Sequence, residues 1–448
     1  MSLLKSKAMD TYFSELGRTV YDKWKAKDFS LTEFPMIARM ALEKKPPARH
    51  VDLDQLLREF LLDDNQPFQT SSGFGQPELI VYDCPKFYIQ ILFWLDGTTD
   101  IHQHSFSGAF HVLAGSSIHS RFDFTDVSPI TPHFQLGDLK LRDTHLLEKG
   151  CTVPIHSGHG FIHSLFHLET PSVTVVIRTH SDPGTDPQFT YLPPHVALDP
   201  LKQDALTTRR KQLLDVLEQT EDENYAPLII KMLNGLDFER GFFILQNCVA
   251  TLRHLGFWEK ALETFARKHG QLALLIAPTL DEIIRRDGIT ALRASFEDVE
   301  HRFFLALLLN VGSRTEILRM ISAKMNEESL RVITRWAGEL IRVTESGIWL
   351  LDACFPLVFG EDDDPEQELE LILDALEHFI SGEKPSSRLR KLSKPNLEFL
   401  KTTLRHSSWR NLLLLEKSSS SRNKSGKKKA ENNASQVKKL GHPSLVNG

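Results

Sequence analysis

Cysteine is scarce in this chain: four in 448 residues, Cys84, Cys151, Cys248 and Cys354, none in a CxxC spacing. That excludes a disulfide framework and a cysteine-ligated zinc site, and it is the usage of a reduced compartment. Long apolar runs are also missing. The longest, such as 87–95, fall well short of the ~20 residues that span a bilayer. The N-terminus turns charged within ten residues and has no apolar h-region. The expected location is therefore cytoplasmic, without membrane contact. No glycine-rich phosphate loop, HExxH or GxSxG is present. A general excess of positive charge is missing too, and a net charge of −6 argues against a nucleic-acid partner. The balance is uneven. Residues 417–448 hold eight Lys or Arg against one Glu, about +7, which leaves about −13 for residues 1–416. That Ser-, Lys- and Asn-rich tail is expected to be disordered.

Histidine is what the chain does have. Eleven of its 19 histidines fall between residues 102 and 180. His102 and His104 form an HxH pair. On a strand, residues i and i+2 point to one face, so two imidazoles can share a metal ion. A third ligand is available from His156, His159, His163 and His167. Two imidazoles held side by side repel if protonated, and a metal removes that conflict. Neutral imidazole suits Fe, Zn, Ni, Cu and Mn alike. Three protein ligands leave coordination positions open for substrate, as catalysis requires.

The surrounding pattern divides the chain. Residues 11–24, 31–42 and 52–62 carry apolar residues at helical spacing, so 1–65 reads as an N-terminal helical segment. From 78 the pattern changes to short strands at 78–82, 87–95, 108–113, 117–124, 148–153, 161–167 and 172–179, the mark of an antiparallel barrel or sandwich within 66–200. Prolines 183, 187, 193, 194 and 200 mark its exit. Residues 201–416 read as an all-helical domain, with candidates including 209–219, 240–255, 258–268, 280–286, 347–358 and 366–380. The acidic stretch from Glu361 suits a helix start. At 448 residues the chain is expected to be multidomain and α+β: a β-barrel flanked by N-terminal helices and a large C-terminal all-α domain. Tyr88 and Gln90 share a face of the strand 87–95, and Arg178 shares one with Thr174 and Val176. Tyr88, Gln90 and Arg178 are therefore candidate substrate contacts, the last a guanidinium fork for an anion. His111 and His119 sit near the pair on neighbouring strands, as groups able to orient a ligand.

Gly97, Asp100, His102 and His104 with Gly115 downstream resemble the first motif of the cupin superfamily. Gly150 through Phe161 and His163 resembles its second. The resemblance covers residues 78–180, about a quarter of the chain, and implies a double-stranded β-helix. Ordinary cupins carry a ligating glutamate four or five residues after HxH. Here those positions are Gly108 and Ala109, as in the three-histidine class of cysteine and thiol dioxygenases. That class implies His163 as third ligand, with His159 as the alternative. It also implies a Ser-His-Tyr trio on the following strand, where this chain has Thr174, Val176 and Arg178, so its substrate does not carry over.

The expectation is a mononuclear non-haem metal oxygenase. It holds one divalent ion, Fe(II) first and Zn, Ni or Mn as alternatives, and acts on a small molecule with O2. The alternative is a metal- or ligand-sensing cupin module without catalysis, whose helical domain engages a protein partner.

Overall fold

The computed structural model describes residues 3–64, 66–70, 74–95, 97–343 and 365–413. The helix expected over 347–358, the stretch 361–364 and the tail 417–448 lie outside the described residues. The fold is α+β, an antiparallel β-barrel between N-terminal helices and a large helical C-terminal region.

Four helices come first: α1 (Leu3–Lys25), α2 (Phe34–Lys44), α3 (Pro47–His50) and α4 (Leu53–Leu62). Asp52 starts α4, its carboxylate accepting the N–H of Gln55 at 3.0 Å. The strands are β1 (Glu78–Asp83), β2 (Phe87–Trp94), β3 (Ile101–His102), β4 (Gly108–Ala114), β5 (Ser117–Thr131), β6 (Phe134–Leu147), β7 (Thr152–Ile155), β8 (Ile162–His167), β9 (Ser172–Thr179), β10 (Thr190–Leu192) and β11 (Val196–Leu198). One sheet runs β1-β2-β9-β4-β7. The other six strands, β10-β11-β6-β5-β8-β3, close into a ring through the β10–β3 pairing.

The five-stranded sheet is covered on both faces, which is why β2 is apolar at both odd and even positions except for Tyr88 and Gln90. Its odd positions, Phe87, Ile89, Ile91 and Phe93, pack with Trp24, Phe34 and Ala38 of the N-terminal helices. Each such side chain contributes about 1.5–3 kcal/mol by burial. Its even positions Leu92 and Trp94 join Phe110 and Val176 in a second cluster, which also takes Leu165 from the ring. The ring has a further small core of Ile101, Phe122, Ile162 and Tyr191. On β8, Ile162 therefore belongs to the ring core, while His163 and Leu165 face the five-stranded sheet.

Two parts of the ring depart from the pattern read in the sequence. β5 continues to Thr131 and β6 occupies 134–147, where the sequence marks no strand, and the strand read at 148–153 begins at Thr152. Much of this hairpin faces water, so cross-strand ion pairs stand in for an apolar stripe. Arg121 bridges Asp143 at 2.6 Å, and Arg142 pairs with Asp123. Pro193 and Pro194, read as the barrel's exit, lie in the turn between β10 and β11, the hairpin that closes the ring.

The helical region comprises α5 (Ala205–Gln219), α6 (Tyr225–Gly235), α7 (Phe238–His254), α8 (Trp258–His269), α9 (Leu272–Ser295), α10 (Val299–Asn310), α11 (Arg314–Lys324), α12 (Ser329–Val343), α13 (Pro365–Ser381) and α14 (Lys394–His406). α9 is far longer than the expected 280–286. It runs through Pro278, with Ile276, Leu280, Ile289 and Leu292 buried along it, so packing overrides the local breaker. Among the described residues no helix is long and apolar enough to cross a membrane. Phe134, Leu136, Val196 and Leu198 of the ring share one core with Leu214, Ile229 and Phe242 of the helices. Arg293 of α9 donates to the His167 carbonyl at 2.8 Å, and Arg302 of α10 to the Leu168 carbonyl at 3.1 Å.

Candidate metal centre

Three histidines meet between the ring and the five-stranded sheet. β3 is only two residues long. It pairs His102 directly with His163 of β8, and Thr190 of β10 pairs with His102 from the other side. His104 follows just beyond the strand, anchored by the Gly158 N–H donating to its carbonyl at 2.7 Å. His102, His104 and His163 are all buried, and one ligand atom from each lies within 4.8 Å of the others. It is the one such group of three or more found among the described residues.

The hydrogen bonds assign the ring nitrogens. His102 Nδ1 lies 2.8 Å from the Asp100 carbonyl, which can only accept, so Nδ1 carries the proton and Nε2 keeps its lone pair. That buried Nε2 has no partner. His104 Nε2 and His163 Nε2 stand 2.9 Å apart. Neighbouring nitrogens on a metal with bonds of about 2–2.1 Å lie roughly 3 Å from one another. The donor set therefore fits a single divalent ion: three imidazoles, with His102 Nε2 and His104 Nδ1 both buried and unpartnered, and no carboxylate in the group.

Burial also sets the protonation state. Desolvation lowers the pKa of His102 and, well below its usual value, that of His104, with the charges of His102 and Arg178 adding to it. His163 is held well down by burial, then by His102, His104 and His119. All three are neutral imidazoles at neutral pH, the form that binds metal.

His119 of β5 supplies a support that no motif marks. Its Nε2 lies 3.0 Å from His163 Nδ1, on the side away from the cluster. Burial pushes its pKa down to about 3, so it is a neutral acceptor for the His163 N–H. Pairing of β5 with β8, Arg121 opposite His163, sets that contact. His111 is elsewhere. It sits on the helix-facing side of β4, its ring contacting Thr152 at 2.8 Å and the Ala48 N–H at 3.4 Å.

A cavity of about 40 Å³ adjoins the cluster. It can hold a few water-sized groups. Leu92, Trp94, Phe106, Phe110, Ile155 and Val176 form most of its wall, and Phe74 lies at its edge. Gln90 lines it too and is 2% exposed. Roomier clefts occur elsewhere, one of about 810 Å³ beside Glu218, Tyr225 and Thr251, but they hold no comparable ligand cluster among the described residues.

The other anticipated residues are not at this cavity. Tyr88 and Arg178 face each other across the β2–β9 pair. Arg178 shares the strand face of Thr174 and Val176, as read, but its guanidinium rests 3.3 Å from the Phe106 ring centroid. Its N–H groups donate to the carbonyls of Thr179 and His180. Tyr88 packs against that guanidinium and against His180. Neither lines the cavity. His159 lies in the turn Gly158–Gly160, with Tyr191 Oη 3.0 Å from Nδ1 and Asp186 3.1 Å from Nε2, outside the cluster. At Gly108, four residues after His104, a Cβ would run into the Ile177 carbonyl, so that position admits no side chain.

No family model matches the sequence, and no curated protein does. Among solved structures the chain is similar to hydroquinone 1,2-dioxygenase from Sphingomonas sp. TTNP3 with 4-hydroxybenzoate bound, at 10% identity, over 25% of this chain and 70% of that one, with a TM-score of 0.20. It is similar to the hydroquinone 1,2-dioxygenase PnpCD in complex with Cd2+ and 4-hydroxybenzonitrile, at 16% identity, over 23% of this chain and 63% of that one, TM-score 0.18. A cupin-2 domain containing protein from Shewanella frigidimarina matches at 14% identity over 28% of this chain and 92% of that one, TM-score 0.18.

Proposed function

We propose that His102, His104 and His163 hold one divalent metal ion, Fe(II) in the first instance with Zn, Ni or Mn as alternatives, and that the protein is a cupin-type non-haem oxygenase acting on a small molecule with O2. The observation that carries this reading is the convergence of three buried neutral imidazoles, one with an unpartnered Nε2, on one side of a small apolar cavity. When bound, the metal supplies open positions at which substrate and O2 meet. The chain's residues do the rest. The Asp100 carbonyl fixes the His102 tautomer, and His119 holds His163 in orientation. The wall of Leu92, Trp94, Phe106 and Phe110 keeps bulk water from the reacting groups.

A sensing module without catalysis is the second reading. It is favoured by the direct bonds from α9 and α10 to the carbonyls at the end of β8, the strand that bears His163. In that case the helical region would engage a protein partner.

Elemental analysis of anaerobically purified protein tests the shared part. About one equivalent of a divalent metal is expected, lost in His102→Ala/His104→Ala. Absence of metal from both proteins, with equal folding, sinks the first reading and the metal-sensing form of the second, leaving a module that senses an organic ligand. Iron with O2 uptake on addition of a substrate separates the first from the second.

A further inference from the structure

The cavity's charge and hydrogen-bonding capacity limit what it can hold. No Asp, Glu, Lys or Arg lines it among the described residues. Arg178, the nearby cation on the same strand face, does not line the cavity: its guanidinium is spread on Phe106, and two of its N–H groups donate to backbone carbonyls. A second charged group on a bound molecule would therefore lose its water and find no counter-ion, which is strongly unfavourable. Three polar side chains besides the histidines line the space. The Thr99 hydroxyl accepts the Leu165 N–H at 2.8 Å, and the Thr174 hydroxyl accepts the Trp94 indole N–H at 3.4 Å, so each has one protein partner and keeps its own O–H to donate. Gln90 differs. The residue is 2% exposed, lies on the cavity face of β2, and its carboxamide forms no hydrogen bond with any described residue. An amide at a cavity wall without a protein partner offers both a donor and an acceptor to a group placed in that space.

Resting on the metal reading above, we propose that the ligand of this site is a compact molecule with one metal-ligating oxygen or sulfur, an otherwise apolar body, and one uncharged polar group that hydrogen-bonds Gln90. Molecules whose remote end is a carboxylate or ammonium are excluded from the class. That separates this site from one built to take an amino acid or a mercapto acid.

Cobalt(II)-loaded full-length protein tests the class by its visible absorption and its thiolate-to-cobalt band. Three probes of four or five heavy atoms suit the cavity: 2-mercaptoethanol, propane-1-thiol and mercaptoacetate. Expected binding is tightest for 2-mercaptoethanol, about fivefold weaker for propane-1-thiol, which lacks one hydrogen bond, and more than tenfold weaker for mercaptoacetate. In Gln90→Met the first two probes should become equal, with the cobalt spectrum of the unliganded protein unchanged. Mercaptoacetate binding as tightly as 2-mercaptoethanol overturns the proposal, as does a Gln90→Met protein that keeps the wild-type preference. The order of the probes is read on the unaltered protein, so it holds even if the variant misfolds. Failure of wild-type protein to bind cobalt, with His102→Ala/His104→Ala indistinguishable from it, counts instead against the metal reading.

Discussion

At the residue scale, the most informative contact is between His119 and His163. In the proposed metal centre His163 would need its second nitrogen held, and here the group beside that nitrogen is another imidazole where a carboxylate or carbonyl is more usual. His119→Ala should weaken metal affinity by about 10–100-fold while leaving the circular dichroism spectrum unchanged. His119→Asn, which offers a shorter acceptor, should recover part of it. Competition with a metal chelator measures both, and an unchanged affinity in His119→Ala would deny His119 this role. The proximity of His102 and His104 was legible in the sequence because two residues on one side of one short segment make a local pattern. Their meeting with His163 was legible only through the cupin resemblance. His119 was read with His111 as a group able to orient a ligand, but which of the two meets a cluster histidine depends on the β5–β8 register. Arg178 failed as a substrate clamp because strand alternation gives the face of a side chain and not the ring on which its end comes to rest.

At the scale of elements, acid should act through histidines away from the cavity. His111 is fully buried between β4 and the N-terminal helices, and burial lowers its pKa from 6.5 to about 4. His167 falls to about 3 for the same reason, helped by Arg293. In both cases the unfolded chain takes up the proton first. Their contribution to stability is thus present above about pH 6.5 and is lost as pH falls toward 4 and below. Urea midpoints between pH 7 and 4.5 should drop, and His111→Gln should show a shallower fall. The clamp of α10 on the β8–β9 turn is a second element-level device. Arg302→Ala removes bonds to the carbonyls of Phe296 and Leu168 and to the Thr170 hydroxyl. Leaving buried acceptors unmet should lower stability by about 1–3 kcal/mol, read from urea unfolding. Element types were mostly recoverable, and strand β9 coincides with the stretch 172–179 read from the sequence. The losses were β6, whose charges satisfy a solvated hairpin, and β10 and β11, three residues each and flanked by prolines.

At the scale of the molecule, the described residues fall in a single compact unit. The ring shares the Phe134, Leu136, Val196 and Leu198 side chains with a core that is otherwise helical. A fragment ending at residue 200 would expose these side chains, and it should aggregate or bind a hydrophobic dye. A monomeric, well-folded fragment in sedimentation would show that the shared core is dispensable.

β2 has one row of side chains against the N-terminal helices and the other toward the cavity. A saturation scan of 87–94 should accordingly separate by parity. Losses at odd positions should appear as reduced protein abundance, whereas at Gln90 abundance should hold and ligand preference should shift. The same segment would then yield to natural variation in what it binds without loss of its fold, whereas a single-residue insertion would exchange the two rows and abolish both properties at once.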